Sequence, residues 1–145
     1  MYMEYDIAII GGGPAGYTAA ERASENGLKT ILFEKNAIGG VCLNEGCIPT
    51  KTLLYSAKIL DSIKSASKYG IVAMKDPSFD LAKIIDRKNK TVRKLTLGVK
   101  ARLTGNGVTI VEGEARITGE EFGNIRIHCD GKEYLVKNVL VLSLI

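Results

Sequence analysis

The sequence predicts an α/β fold: a parallel sheet flanked by helices, with a small antiparallel β-meander toward its C-terminal end. Two observations carry this reading. An apolar strand, a glycine-rich turn, a helical stretch and a second apolar strand succeed one another within the first 34 residues, which is the pattern of a βαβ unit with parallel strands and a right-handed crossover. After residue 107, short apolar runs alternate with glycine and aspartate turns, as paired antiparallel strands do.

Asp6 to Ile10 reads as a buried strand and Ala15 to Asn26 as a helix stopped by Gly27. Lys29 to Glu34 is the second buried strand, and Asn36 to Asn44 a glycine-containing loop. From about Gly46 to Tyr69 the pattern turns helical, with Leu53, Ala57, Leu60 and Ile63 on one stripe and Gly70 as the stop. A loop through Asp76 and Pro77 leads to a long amphipathic helix from Asp80 to Leu103. Its apolar stripe holds Leu81, Ile84, Ile85, Val92, Leu95, Val99 and Leu103, with Gly98 as a blemish. Its other face is basic, carrying Lys83, Arg87, Lys88, Lys90, Arg93, Lys94, Lys100 and Arg102. A solvated face and a surface for an anionic partner are both open readings. Strands are expected at Val108–Val111, Glu114–Thr118, Ile125–Cys129, Tyr134–Val136 and Val139–Leu142.

Composition narrows the function classes. Hydrophobic residues make up 46% and charged residues 25%, enough apolar material for one core. A net charge of +4 is too mild to point to nucleic acid. The N-terminus is polar and acidic, and no apolar run approaches the roughly 18 residues of a membrane span. A cytoplasmic protein without membrane association is expected.

Gly11, Gly13 and Gly16 form G-x-G-x-x-G directly after the first strand and at the head of the helix. The first glycine permits the tight turn, the second lets a pyrophosphate approach the backbone, and the third lets helix and strand pack closely. The helix N-terminus offers free N–H groups and the positive end of its dipole to phosphate. Pro14 is tolerated there because its missing N–H would have had no partner in the helix. Glu34 ends the second strand, where a carboxylate can accept the ribose hydroxyls of an adenosine. Together these predict dinucleotide binding, without choosing between FAD and NAD.

Cys42 and Cys47 stand five residues apart, and Cys129 is the third cysteine. The pair admits three readings: a disulfide, half of a metal site, or coincidence. A zinc site needs about four ligands, and only His128 and Cys129 remain, adjacent on one strand and so facing opposite ways. In a regular helix, positions i and i+5 have Cα atoms about 8–9 Å apart, beyond the roughly 7 Å that a disulfide spans. A reducible disulfide therefore requires Cys42 to lie in a distorted turn before the helix, with Gly39, Gly40 and Gly46 supplying the freedom. Cys47 then falls near a helix N-terminus, a setting that favours thiolate over thiol.

The segment from Gly39 to Lys51, GGVCLNEGCIPTK, resembles the active-site signature of the class I pyridine-nucleotide disulfide oxidoreductases. Leu43, Asn44 and Ile48 are most similar to the dihydrolipoamide dehydrogenase branch, whereas glutathione and mercuric reductases more often carry valines. Thr50 departs from the more usual serine.

The resemblance implies a Rossmann-like FAD-binding domain. It implies contacts from Gly11, Gly13, Pro14, Ala15 and Gly16 to the pyrophosphate and from Glu34 to the ribose, with Lys35, Gly40 and Val41 completing the set. Cys47 would be the thiol against the flavin ring, Cys42, on its glycine-flanked loop, the more accessible thiol that exchanges with dihydrolipoamide, and Lys51 a cation beside the flavin. Ala115, in Gly113-Glu114-Ala115, would meet adenine through its backbone. Cys42 and Cys47 would form the redox disulfide, with Cys129 free.

A complete member would oxidise dihydrolipoamide with NAD+, as a homodimer serving the lipoyl carrier of a 2-oxoacid dehydrogenase or glycine cleavage complex. Against that pattern residues 1–145 read as an incomplete N-terminal FAD-binding domain, without the NAD-binding and C-terminal interface domains. Such a piece is expected not to turn over NAD alone, and a non-catalytic dinucleotide-binding module is the alternative. His128 matches no catalytic position. Where the family reads Ala-Thr-Gly after its last strand, this chain reads Ser143-Leu144-Ile145.

Overall fold

The computed structural model describes residues 3–72 and 76–142; the Ser143–Ile145 departure and the first two residues lie outside them. The elements are β1 (Met3–Ile10), α1 (Pro14–Glu25), β2 (Thr30–Glu34), α2 (Gly40–Asn44), α3 (Cys47–Lys64), a single 3-10 turn (Ala66–Tyr69), α4 (Leu81–Gly105), β3 (Thr109–Glu112), β4 (Arg116–Glu121), β5 (Asn124–Cys129) and β6 (Lys132–Val141).

One six-stranded sheet runs in the order β3-β2-β1-β6-β5-β4. β1 pairs in parallel with β2 and with β6, and β2 with β3. β4 pairs antiparallel with β5, and β5 antiparallel with β6. The expected α/β fold, with a parallel sheet and an antiparallel meander, is therefore what the chain forms, and the two sets of strands share β6. This corrects the expectation of separate strands at 134–136 and 139–142. They are one ten-residue strand, whose first half takes hydrogen bonds from β5 while nearly its whole length pairs with β1. Lys137 and Asn138, which look like a polar break in the sequence, are instead tied to β1. Lys137 Nζ lies 2.7 Å from Asp6 Oδ1, and Asn138 Nδ2 donates to the Asp6 carbonyl at 3.2 Å.

The core divides by the strand period of two. Ala8, Ile31 and Phe33 join Tyr5, Ile127, Cys129, Tyr134 and Val136 in one cluster, where Phe33 and Tyr134 meet edge to face with centroids 5.2 Å apart. Ile9 and Leu32 point the other way, into a cluster with Ala20 of α1 and Leu103 of α4. The sheet curls over its first face. A Cβ on Gly113, just past β3, would fall 2.6 Å from Cys129 Sγ at the end of β5. This is why β2 is buried along its full length.

α4 starts at Asp80, whose carboxylate accepts from the Lys83 N–H at 3.1 Å, and runs unbroken through Gly98. Its basic side chains are partly drawn into the fold. Arg87 donates to the Thr52 carbonyl of α3 at 2.6 Å, Lys100 pairs with Glu112 at 2.6 Å, and Arg102 pairs with Glu21 at 2.7 Å. No helix among the described residues is long and apolar enough to cross a membrane.

Candidate functional site

The site is built where β1 turns into α1. Gly11 takes φ 108°, a left-handed conformation that only glycine adopts without strain, and its N–H donates to the Phe33 carbonyl at 2.8 Å. Gly16 sits one helical turn on, buried, and a Cβ there would lie 1.8 Å from the Gly11 carbonyl oxygen. Only a glycine lets α1 come this close to the loop. A Cβ on Gly13, by contrast, would meet nothing within 4 Å, so this position borders open space. Gly13 is also the N-cap of α1, and no side chain caps that helix. Its first-turn N–H groups are thus left for an anion.

Glu34, buried at the end of β2, accepts from the Gly12 N–H at 2.7 Å on one oxygen and from the Asn36 N–H at 2.8 Å on the other. A carboxylate has about four acceptor positions, so about two remain for hydroxyl donors. The two backbone bonds fix the carboxylate across the mouth of the glycine loop.

Two cavities meet at this point. The first, of about 470 Å³, is walled by Gly11, Gly13, Pro14 and Ala15 of the glycine loop, by Glu34 and Lys35, and by Gly40, Val41 and Cys42 of α2. The second, of about 310 Å³, shares Gly11, Glu34 and Lys35 and continues past Phe33 to Gly113 and Ala115. An uncapped helix N-terminus, a glycine with free space over it and an anchored carboxylate, set along two adjoining cavities, fit a dinucleotide.

Most of the sequence-predicted residues therefore come together. Gly16 is the exception within the glycine motif: it lies beneath the loop and shapes it. Cys47 and Lys51 lie outside the first cavity wall, on the exposed first turns of α3. The expected distorted turn at Cys42 is a five-residue helix, α2, ended by Glu45 and Gly46 before α3 begins at Cys47. The break replaces the regular i to i+5 geometry between the two cysteines. Both are free thiols, as is buried Cys129.

The Cys42 thiol is pushed above its ordinary value of 9.0. Its hydrogen-bonding interaction with Cys47 is the largest cause, with desolvation and Coulombic repulsion from Cys47 adding to it and Lys51 opposing. Cys42 thus holds its proton. Its exposure corrects an expectation: Cys42 is half-buried and Cys47 exposed, because α2 packs Cys42 into the wall facing the glycine loop while the start of α3 lacks cover.

The sequence of the pyridine nucleotide-disulphide oxidoreductase family matches residues 5–141. The chain belongs to that family. Dihydrolipoyl dehydrogenase of Acholeplasma laidlawii is 41% identical over 147 residues, covering 99% of this chain and 41% of that protein. Dihydrolipoyl dehydrogenase of Mycoplasma pneumoniae is 44% identical over 141 residues, covering 97% of this chain and 30% of its own length. The crystal structure of LpdA from Mycobacterium tuberculosis superposes with a TM-score of 0.82 at 26% identity, over 96% of this chain and 31% of that one. The chain thus spans well under half the length of these relatives.

Sequence reasoning missed Gly12, whose N–H orients Glu34, and the cavity residues Asn36, Ala37, Asn44, Glu45 and Leu142. Asn36 and Ala37 stand two and three residues after Glu34, and Asn44 and Glu45 lie between the cysteines, so proximity to the motifs is the available signal. His128 is engaged by Glu133 across the β5–β6 pair, Nδ1 to Oε1 at 2.9 Å. Among the described residues no group of three or more His, Cys, Asp and Glu side chains is placed to hold a metal ion.

Proposed function

We propose that this chain is the FAD-binding, dithiol-bearing part of a cytoplasmic dihydrolipoamide dehydrogenase, in which Cys42 and Cys47 receive two electrons from dihydrolipoamide. The observation that carries this reading is the convergence of the glycine loop, Glu34 and Cys42 on one cavity. When bound, FAD would supply the acceptor for the electron pair, with NAD+ as the onward acceptor in the complete enzyme.

The chain's own residues have separable tasks. Gly11, Gly13 and the N–H groups heading α1 from Ala15 onward, with the Pro14 ring beside them, hold the pyrophosphate. Gly16 keeps that loop in shape. Glu34 holds the ribose, with Lys35 beside it, and Ala115 borders the adenine. Gly40 and Val41 carry Cys42 against the same cavity.

Starting from a Cys42–Cys47 disulfide, a dihydrolipoamide thiolate attacks the Cys42 sulfur. The protein S–S bond breaks and Cys47 leaves with the electron pair as thiolate. The second substrate thiolate then displaces Cys42, which takes up a proton, and the substrate departs as the cyclic disulfide. The proton-holding character of Cys42 supports giving it the exchange role. Lys51, one turn beyond Cys47 on α3, supplies a cation on the side where negative charge accumulates. A homodimer presenting this site to the lipoyl carrier of a 2-oxoacid dehydrogenase or glycine cleavage complex completes the reading.

The test is a single-turnover reaction of the oxidised, FAD-loaded chain with one equivalent of dihydrolipoamide. Stoichiometric lipoamide is expected from the wild-type chain, and none from Cys42→Ser or Cys47→Ser. Wild-type chain that binds FAD yet forms no lipoamide would contradict the proposal.

A further inference from the structure

Asn44 lies between the two cysteines, and its side chain has three hydrogen-bond partners, two at the head of α2 and one on α4. Its amide nitrogen donates to the Gly40 carbonyl at 2.9 Å and to the Ile38 carbonyl at 3.2 Å. Both partners are carbonyls, which only accept, so the nitrogen must face them and the oxygen must face away. That oxygen accepts from the Thr96 hydroxyl of α4 at 3.4 Å.

The loop that Asn44 grips is itself tied to the cofactor site. The Gly39 N–H donates to the Gly12 carbonyl at 2.8 Å. Gly40 presses so closely on Gly13 that a Cβ there would fall 2.8 Å from the Gly13 Cα. Asn44 therefore links the glycine loop, the head of the Cys42 helix and α4. It also borders both the first cavity and a third one of about 320 Å³ against Lys88, Arg93 and Thr96.

We propose that Asn44 is a positioning residue for the dithiol: by clamping the Ile38 and Gly40 carbonyls and resting on Thr96, it fixes where α2 ends and so holds Cys42 within reach of Cys47. No other side chain bonds to either carbonyl among the described residues. The amide is short enough to close over the head of α2 from its last residue. An aspartate of the same shape would set a carboxylate against two carbonyl oxygens and lose both donations. The inference rests on the dithiol exchange proposed above.

The experiment is equilibration of the full chain with reduced and oxidised glutathione, followed by alkylation and mass mapping of the Cys42–Cys47 disulfide. Forming the protein disulfide breaks two S–H bonds and reduces one glutathione disulfide to two thiols. In Asn44→Asp the equilibrium constant for the pair should fall about tenfold or more, the size expected from losing two side-chain hydrogen bonds. Thr96→Val should lower it about two- to threefold, since only the longest of the three bonds is removed. Folding is followed in parallel by the denaturant midpoint. A purely structural Asn44 would move the midpoint and leave the disulfide equilibrium of the folded fraction where it was. That outcome, or two variants both matching wild type, overturns the inference. A wild-type chain that forms no Cys42–Cys47 disulfide at any glutathione ratio overturns the dithiol exchange itself.

Discussion

The glycine-loop half of the site and the α3–α4 half are built in opposite ways. Around β1, α1 and β2 the contacts run through the backbone: Gly16 under the Gly11 carbonyl, Gly39 bonded to Gly12, and the Glu34 carboxylate held by two backbone N–H groups. Ala8, Ile9, Ile31 and Leu32 are sealed completely. In α3 only Pro49 and Thr52 are buried, and in α4 only Leu103. Leu54 on α3 is 63% exposed and Leu97 on α4 is 56% exposed. The difference teaches that the nucleotide side is fixed by close packing that leaves no room for a side chain at Gly16 or Gly40, while the dithiol side hangs from a few side-chain bonds, those of Asn44 and Arg87 among them.

The sharpest way to break that comparison is to add one methyl group to the packed half. Gly16→Ala puts a Cβ into the Gly11 carbonyl, and overpacking of this kind costs about 3 kcal/mol or more. The chain should lose FAD binding and show a much lower denaturant midpoint. A Gly16→Ala chain of wild-type stability would mean the close approach is not essential.

Glu34→Ala should have the next largest effect, and on binding more than folding. Removing the ribose-facing acceptor should weaken FAD by about 1–3 kcal/mol, the usual range for hydrogen bonds to a charged group. Calorimetric titration of the folded variant measures it, and unchanged affinity would remove Glu34 from the site.

On the dithiol side the comparison sharpens with pH. The folded-state value of Cys42 lies above 9.0, so its proton contributes stability that is whole below that pH and is lost as pH rises through the raised value. The alkylation rate of Cys42 in Cys47-containing protein should therefore have its midpoint above pH 9.0, and Cys47→Ser should bring it down by removing the largest cause.

The smallest effect belongs to the exposed helices. Leu54→Ser and Leu97→Ser should each change stability by less than about 0.5 kcal/mol, read from the same denaturant curves. A loss several times larger would show these stripes to be covered.

How far the sequence could be read follows the same division. The βαβ unit and its glycines were legible because turn, helix cap and strand end each demand a particular residue type at a particular place. The helical spans of α3 and α4 were legible too, since spacing reports period. Their burial was not: Leu53 and Leu60 are half-buried, whereas Ala57 and Ile63 of the same stripe are exposed. Periodicity shows that a face is apolar, and burial needs a second surface. Strand β6 looks like two strands in the sequence because Lys137 and Asn138 resemble a break, and only their bonds to Asp6 across the sheet explain their place. A glycine-flanked loop suggests that Cys42 is the more accessible thiol, whereas it is half-buried and Cys47 exposed. The Gly13–Gly40 approach that presses α2 into the cavity wall cannot be seen in local sequence.

The central claim is that nucleotide loop and dithiol share one site, and FAD protection of Cys42 tests it most directly. The reduced chain is treated with iodoacetamide at fixed pH with and without saturating FAD, and each cysteine is followed by mass mapping. Alkylation of Cys42, which lines the cavity, should slow at least tenfold with FAD, and half-protection of Glu34→Ala should need about 5- to 150-fold more FAD than wild type. Bound FAD that leaves the Cys42 rate unchanged would contradict the account, because the dinucleotide would then lie somewhere other than the cavity on which Cys42 opens.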